Sequence, residues 1–226
     1  MTGQYQKIIL FANGELPEPN HIAERINNDD FLIAVDGGLG HITSLGLMPD
    51  LIIGDMDSVD KEKLDHYRTK NVKIEKHPVD KVQNDLELAI QAAVKMNPQK
   101  IWIVAALGKR IDQTLANIFL LTREDLIDID THLVDGKRDV FLIRKQANIN
   151  GKTGQRVSLI PIHGPVKGIR TEGLQFPLEN ETLFPDQTRG ISNRLIKDTA
   201  RITIENGLLL CIHQMTNPSE RRGQND

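Results

Sequence analysis

The hydrophobic pattern of this chain changes period near residue 140, and that change limits the fold to two successive parts. Before it, short apolar runs rich in β-branched residues alternate with segments of helical spacing. The runs that predict strands are Ile8–Ala12, Phe31–Val35, Leu51–Ile53, Val72–Ile74, Ile101–Ala105 and Thr131–Val134. Strands that alternate with helices predict an α/β domain whose mostly parallel sheet is covered on both faces.

Two of the intervening segments have a clear helical period. In 84–96, an apolar stripe is formed by Leu86, Ala89, Ile90 and Ala93. Asn84 is a good N-cap for this helix, and Glu87 completes a pattern like a capping box. In 113–122, the apolar side consists of Leu115, Ile118, Phe119 and Thr122.

The second part of the chain has strand signals only. Residues 157–162 and 200–204 are predicted strands, and Asn206-Gly207 is typical of a two-residue β-hairpin. Frequent glycines between these runs indicate turns. We therefore expect an α/β N-terminal domain with a mostly parallel sheet in residues 1–142, followed by an all-β sandwich domain in residues 143–226.

Composition excludes several classes of function. The chain has 28 Lys and Arg against 31 Asp and Glu, so no basic surplus indicates nucleic acid or an anionic membrane as a partner. Its single cysteine, Cys211, excludes an internal disulfide framework and fits a reducing compartment. We find no signal peptide in residues 1–10 and no bilayer-spanning apolar run. These observations predict a cytoplasmic protein that binds neither nucleic acid nor membrane and acts on a small molecule.

Five successive strand ends carry glycines together with acidic, amide or basic residues. In parallel α/β sheets, ligands bind beyond the carboxyl ends of the strands, so these groups are expected to share one rim. The five groups are Asn13-Gly14, Asp36-Gly37-Gly38, Gly54 to Ser58, the segment from Asp80 to Asp85, and Gly108 to Asp112. The sequence thus predicts an acidic ligand site at this edge.

Asp55 and Asp57 are the strongest metal-binding candidates on the rim. In an extended segment the two carboxylates share a face, and paired carboxylates with substrate phosphates are typical of Mg²⁺ sites. The alternative is a solvated acidic turn. Two other groups on the rim also have two interpretations. Asp36-Gly37-Gly38 is either a turn or a segment whose backbone N–H groups bind phosphate. Arg110 with Asp112 is either a helix cap or a pair that neutralises phosphate charge.

Other common catalytic patterns are missing from the sequence. There is no Walker A loop, no GxGxxG fingerprint and no GxSxG elbow. The seven histidines show neither HxH nor HExxH spacing, so we expect no zinc site.

Several motifs in order resemble the thiamine pyrophosphokinase family over about residues 8–213. They are FANGELP at 11–17, AVDGGLGHITSLGLMPDLIIGDMDS at 34–58, KVQNDLELAI at 81–90, ALGKRIDQTLANI at 106–118, RTEGLQFPL at 170–178 and GISN at 190–193. The GDMDS run after DGG is the most specific of them. The resemblance implies an α/β domain and a β-sandwich domain. It also implies a homodimer with active sites at the subunit interface, and transfer of diphosphate from ATP to the thiamine hydroxyl with release of AMP.

The resemblance also implies roles for individual residues. Asp55, Asp57, Arg110 and Asp112 correspond to catalytic positions, and Asp55, Asp57 and Asp85 to Mg²⁺ ligands. The ATP-binding positions are Asn13, Asp36, Gly37, Gly38, Lys81, Lys109, Arg110 and Gln113. Ser192 and Asn193 correspond to the pair that recognises the thiamine pyrimidine.

The chain departs from the family pattern at a few positions. Val82 replaces a usual aspartate, so either fewer carboxylates hold the metal or Asp80 substitutes. Asn84 replaces a usual threonine, and Lys109 a common glycine. Two other functions stay open at this stage, namely a related pyrophosphokinase for a pterin alcohol and a non-catalytic binder of thiamine or nucleotide.

Overall fold

The computed structural model describes residues 5–55, 61–78 and 83–215. The chain separates into two compact units, residues 1–136 and 137–226. Residues 138–143 form a strand that pairs within the second unit. The boundary after residue 142 stays a prediction.

The first unit alternates strands and helices, as the hydrophobic pattern predicts. Its elements in chain order are β1 (Lys7–Phe11), α1 (Pro19–Ala23), β2 (Phe31–Val35), α2 (Gly38–Ser44), β3 (Leu51–Gly54), α3 (Lys61–Thr69), β4 (Lys73–Lys76), α4 (Asp85–Lys95), β5 (Lys100–Val104), α5 (Ile111–Leu120) and β6 (Asp130–Val134). The strands form a parallel sheet in the order β4-β3-β2-β1-β5-β6.

Apolar side chains on both faces of this sheet are buried under helices. On one face, Ile9 and Phe11 join a core cluster with Ile42 of α2 and Leu64 and Tyr67 of α3. On β1 the alternate residues Ile8 and Leu10 are also fully buried, and α4 contacts β1, β2 and β3. Burial on both faces explains why the strands are continuous apolar runs. Among the described residues, no helix has the length and hydropathy needed to span a membrane.

Helix α4 forms where its stripe and cap predict. Asn84 caps the helix, because its side chain accepts a hydrogen bond from the Glu87 backbone N–H at 2.8 Å. The Glu87 carboxylate binds Gln83 and Arg123, so it does not close the second half of a capping box. Leu86, Ala89, Ile90 and Ala93 are buried as the stripe predicts.

The second unit is all-β, which agrees with the fold class expected from the sequence. Its strands are β7 (Arg138–Ile143), β8 (Gln146–Asn150), β9 (Arg156–Glu172), β10 (Glu179–Leu183), β11 (Asn193–Arg194), β12 (Thr199–Thr203) and β13 (Asn206–Gln214). The first half of β9 pairs with β11 and β13, and its second half pairs with β10 and β12. A positive φ of 60° at His163, followed by Gly164, lies between the halves. One long strand thus serves both layers around a shared apolar core.

The expected hairpin at Asn206-Gly207 is wrong. β12 pairs with β8 and β9, whereas β13 pairs with β7 and β9. The chain therefore passes from one layer to the other at this point instead of turning back on itself. Asn206 and Gly207 are the first residues of β13, and this end of the strand is anchored to β9, because Glu205 N donates to Lys167 O at 3.0 Å and Asn206 pairs with the same residue.

Candidate active site

A cleft of about 570 Å³ opens at the carboxyl ends of β1, β2 and β5. It lies where the rule for parallel sheets places ligands. The residues around it are 12–15, Val35, Asp36, 84–86, 105–110, Gln113, Thr114, Ala116 and Asn117. Six of the predicted site residues lie in this lining: Asn13, Asp36, Asp85, Lys109, Arg110 and Gln113.

Backbone hydrogen bonds hold the two loops at the centre of the cleft against each other. Gly14 N donates to Ala105 O at 2.7 Å, and Glu15 N donates to Leu107 O at 3.3 Å. Ala105 takes a left-handed φ of 55°, which is costly for a residue with a side chain and is found preferentially at functional sites. Across the same loops, Lys109 Nζ lies 3.3 Å from Glu15 Oε1. Glu15 is not among the site residues expected from the sequence.

The Asp36 carboxylate turns back from the end of β2 toward the end of β3. Asp36 has a left-handed φ of 48°, and its Oδ1 accepts a hydrogen bond from Asp55 N at 3.3 Å. A Cβ atom at Gly54 would lie 1.9 Å from that oxygen. Glycine at position 54 is therefore required by the close approach of this carboxylate.

Three carboxylates share this part of the cleft, and their crowding changes the titration of one. Burial, a side-chain hydrogen bond with Asp85 and repulsion from Asp85 and Asp55 raise the pKa of Asp36 to about 7. From the sequence, Asp36 is expected to bind ATP only. In the structure, it belongs to the same carboxylate cluster as two predicted metal ligands, Asp55 and Asp85.

The chemistry of this cluster suits a hard cation. Within the described residues, no three acidic, histidine or cysteine side chains form a complete metal-binding group. Mg²⁺, however, needs only one or two carboxylates when substrate phosphates complete its coordination. The hydrogen-bonded Asp36 and Asp85 side chains, with Asp55 beside them, provide such oxygens. Asp57, the other expected ligand, lies outside the described residues, as do Lys81 and the Asp80 and Val82 pair.

Arg110 and Asp112 lie together at the start of α5. Arg110 Nε donates to Asp112 Oδ1 at 3.2 Å, and its Nη2 donates to Asp112 Oδ2. The hydrogen bonds from Arg110 lower the pKa of Asp112, and the same contact raises the pKa of Arg110. Both side chains are about two-thirds exposed, so the guanidinium keeps donors that can reach a phosphate.

Gly37 caps the start of α2 and Gly38 is the first residue of this helix, and neither position leaves room for a side chain. A Cβ at Gly37 would lie 2.3 Å from Asn13 Oδ1, and one at Gly38 would lie 1.8 Å from Phe11 O. The two glycines thus allow the end of β1 to approach the start of α2. Their expected role in binding phosphate stays a prediction.

Two further residues, which are not among the site residues expected from the sequence, hold the loop that carries Arg110. Asn117 Nδ2 donates to Ala106 O at 2.7 Å, and Thr114 Oγ1 accepts from Gly108 N at 3.2 Å. Both belong to the face of α5 that lines the cleft. Their spacing from Arg110, four and seven residues, is helical and is the signal that could have identified them.

Ser192 and Asn193 belong to the second unit. Ser192 is exposed with a left-handed φ of 60°, and its backbone N donates to Ser158 Oγ at 3.0 Å. Asn193 begins β11 and is buried.

Both parts of the chain match domains of a known protein family. Residues 22–131 match "Thiamin pyrophosphokinase, catalytic domain", and residues 142–209 match "Thiamin pyrophosphokinase, vitamin B1 binding domain". The thiamine pyrophosphokinase of Bacillus subtilis (strain 168) is 27% identical over 182 residues, which are 80% of this chain and 85% of that protein. Thiamine pyrophosphokinase 1 of Oryza sativa subsp. japonica is 29% identical over 175 residues, 73% of this chain and 66% of that protein.

Solved structures show the same fold. The crystal structure of thiamine pyrophosphokinase from Bacillus subtilis has a TM-score of 0.82 at 24% identity, and the match covers 93% of this chain and 99% of that chain. Thiamin pyrophosphokinase from Candida albicans has a TM-score of 0.77 at 16% identity, covering 93% and 89%. The two matched domain descriptions cover more than three quarters of the residues in the order of the two units, so the chain belongs to the thiamin pyrophosphokinase family.

Proposed function

We infer that this protein is an enzyme that transfers diphosphate from ATP to the hydroxyl of thiamine, forming thiamine diphosphate and AMP. The observation that supports this inference most strongly is the acidic cleft with Arg110 at its rim. Most residues of the cleft belong to the segment that matches the catalytic domain, and the others, 12–15, precede that segment. The match of residues 142–209 to a vitamin B1 binding domain favours thiamine over a pterin alcohol as the acceptor.

The residues of the cleft suit the demands of this reaction. Transfer of a phosphoryl-type group depends mainly on positioning and on neutralising charge, because the protein has little covalent chemistry to perform. The thiamine hydroxyl attacks the β-phosphorus in line as AMP leaves. We propose that Arg110, oriented by Asp112, binds the phosphates together with Lys109 and Lys81. Asn13, Gly37, Gly38 and Gln113 are the other proposed contacts of ATP.

Mg²⁺ is the proposed metal ion, held by Asp55, Asp57 and Asp85. When bound, it would neutralise phosphate charge and help to align the reacting groups. The position of Asp36 in the same carboxylate cluster supports a role for this residue in holding the cation as well as in ATP binding. The Asp36 side chain is hydrogen-bonded to Asp85 and repelled by Asp85 and Asp55, and this grouping of carboxyl groups supports the proposed cation site.

The proposed active form is a homodimer with active sites at the subunit interface. Support comes from α5, whose Ile111, Leu115 and Phe119 are 73%, 50% and 47% exposed at helical spacing. The sequence pattern of α5 predicts that this side of the helix is covered, yet no residue of α5 is fully buried within the chain. A second copy of the chain is the occupant that we propose. Thiamine would then contact Ser192 and Asn193 in the β domain of one subunit, and the α/β domain of the other.

The cytoplasm is the proposed location, because ATP is a substrate and the single cysteine, Cys211, is a buried free thiol.

An assay of AMP release tests the proposed reaction. With ATP and Mg²⁺ present, AMP and thiamine diphosphate should appear in equal amounts and only when thiamine is added. A hydroxymethylpterin in place of thiamine is the control for the acceptor. If AMP forms with the pterin and not with thiamine, the related pyrophosphokinase is the correct interpretation. If thiamine and ATP both bind without AMP release, the protein is a non-catalytic binder.

A further inference from the structure

His41 of α2 is hydrogen-bonded to the loop that follows β1. Its Nε2 atom lies 2.9 Å from Gly14 O. A carbonyl oxygen can only accept a hydrogen bond, so the proton of this contact belongs to Nε2 and His41 is the donor. Nε2 remains a donor whether or not Nδ1 also binds a proton. The contact is therefore independent of the charge of the imidazole.

The loop of residues 13–15, which we name the β1 loop, is held on both sides of Gly14. On one side, Gly14 N donates to Ala105 O at 2.7 Å, and a Cβ atom at Gly14 would clash with the same oxygen. On the other side, His41 donates to Gly14 O. Both polar groups of the Gly14 backbone are thus used to fix the loop between α2 and the end of β5.

Asn13 directly precedes the residue that is held in this way. Its exposed side chain belongs to the lining of the cleft. The Asn13 amide also passes close to the start of α2, because a Cβ atom at Gly37 would overlap with it. Gly37 and His41 are four residues apart and so lie one helical turn apart on the same face. This face of α2 therefore restrains both the side chain of Asn13 and the backbone that follows it.

The fold has other means of holding these elements together. Leu39 and Ile42 attach α2 to the core of the first unit, and β1 pairs with β2 and β5. His41 is only half-buried, so its removal exposes little apolar surface. The hydrogen bond from His41 thus acts locally, by selecting one orientation of the β1 loop at the rim of the cleft.

We propose that His41 is a positioning residue for ATP, which fixes the Gly14 peptide so that the Asn13 amide is held ready for the nucleotide. The inference rests on the proposed function, in which Asn13 is a contact of ATP. It assigns to His41 neither a contact with substrate nor a proton transfer. A loop that is fixed in advance loses less entropy when the ligand binds. His41 should therefore matter for ATP only while the Asn13 amide is present.

A matched pair of substitutions tests whether the donor is what matters. Gln and Met have unbranched side chains of similar length, but only the Gln amide can donate to Gly14 O. Calorimetry with ATP and Mg²⁺, without thiamine, measures the Kd and the stoichiometry of binding to the full-length protein. His41→Met should raise the Kd for ATP about fivefold, the effect of losing one neutral hydrogen bond, and His41→Gln should stay within about twofold of the wild type.

Two controls separate positioning from a general loss of structure. A misfolded fraction lowers the stoichiometry, whereas a misplaced loop raises the Kd at unchanged stoichiometry. His66→Ala removes an exposed imidazole from α3 and should leave both quantities unchanged. In the thiamine reaction at saturating ATP, kcat of His41→Met should stay within about twofold of the wild type, because only binding of ATP is weakened.

A double-mutant cycle tests whether His41 acts through Asn13. Asn13→Ala should raise the Kd for ATP about fivefold by removing one hydrogen-bonding amide. Adding His41→Met to Asn13→Ala should cause no further increase, because the loop then has no amide to present. The pH profile of kcat/KM for ATP should be the same in His41→Gln and the wild type, because the contact is independent of imidazole charge.

Four results would overturn the proposal. Equal Kd values for His41→Gln and His41→Met would show that the donor is irrelevant. A Kd raised about 25-fold in the double variant would show that Asn13 and His41 act independently. A normal Kd in Asn13→Ala would remove Asn13 from the ATP site. A pH profile changed by His41→Gln would show that the imidazole acts through its charge or its proton.

The same measurements distinguish failure of this inference from failure of the proposed function. In each of the four cases, release of AMP by the wild type with thiamine leaves the proposed function intact. If the wild type binds ATP but releases no AMP, the proposed reaction is wrong, and the Kd values still decide the role of His41. If the wild type binds no ATP, both the inference and the proposed function fail.

Discussion

Replacing Asp36 with asparagine tests whether the carboxylate cluster is crowded as the structure describes. The raised pKa means that the folded protein binds a proton at Asp36 more tightly than the unfolded chain does. Between the ordinary value of 3.8 and about 7, the unfolded chain has already released that proton. The wild type should therefore lose stability as pH rises through this window, with the full loss above pH 7. The neutral amide of the Asp36→Asn variant does not ionise, so the variant escapes this loss.

The size of the effect follows from the two pKa values. Each pH unit between the two pKa values lowers the free energy of unfolding by about 1.4 kcal/mol, so the largest possible destabilisation is about 4 kcal/mol. Asp36 is only about half-buried, and solvent screening reduces the effect to about 2 kcal/mol. The same calculation gives a destabilisation of the wild type of about 0.5 kcal/mol at pH 4.5. The stability of Asp36→Asn relative to the wild type should thus increase by about 1.5 kcal/mol from pH 4.5 to pH 8.

Fluorescence of Trp102 provides the measurement, because this single tryptophan lies in β5 of the same unit as Asp36. Urea unfolding in EDTA gives the free energy at each pH, and Asp29→Asn makes the same chemical change at an exposed loop position. Titration of groups outside the cluster of Asp36, Asp55 and Asp85 cancels in the comparison. If the difference between Asp36→Asn and the wild type is the same at both pH values, the crowding argument is refuted. With Mg²⁺ at pH 8, the wild type should be stabilised more than Asp36→Asn.

Three further experiments test the proposed site and assembly. Asp57→Asn should reduce turnover by on the order of 10²-fold with folding unchanged, because a metal ion bridging phosphates supplies several kcal/mol of transition-state stabilisation; near-normal turnover at saturating Mg²⁺ would remove Asp57 from the site. Asp80→Asn should raise the Mg²⁺ concentration for half-maximal activity, and Val82→Asp should partly restore it; an unchanged Mg²⁺ dependence would exclude compensation by Asp80. Leu115→Glu should convert the proposed dimer into a monomer in sedimentation experiments, whereas Met48→Glu, at a similarly exposed apolar position, should leave the oligomeric state of the wild type unchanged.

The sequence predicts the order of the elements and the edge of the sheet that carries the cleft, because both depend on local patterns. Hydrophobic period separates strands from helices, and the carboxyl-end rule then collects the polar residues that follow the strands. The approach of Asp36 to Gly54 and Asp85 depends instead on a left-handed backbone at Asp36, in a turn that other conformations could also form. In the same way, the Asn206-Gly207 dipeptide is typical of a turn, yet both residues belong to β13, because strand pairing depends on contacts that are distant in sequence.

The apolar side of α5 shows most clearly what a periodic pattern leaves open. A helical stripe requires that something covers it, but the same spacing serves a core within the chain and a contact with a second chain. In α5 the stripe starts at Ile111, directly between Arg110 and Asp112, so a partner covering it would lie against the residues that we assign to the ATP phosphates. Loss of the dimer through Leu115→Glu should therefore reduce activity as well as mass. A fully active monomer would separate the stripe from catalysis and would leave assembly as its only role.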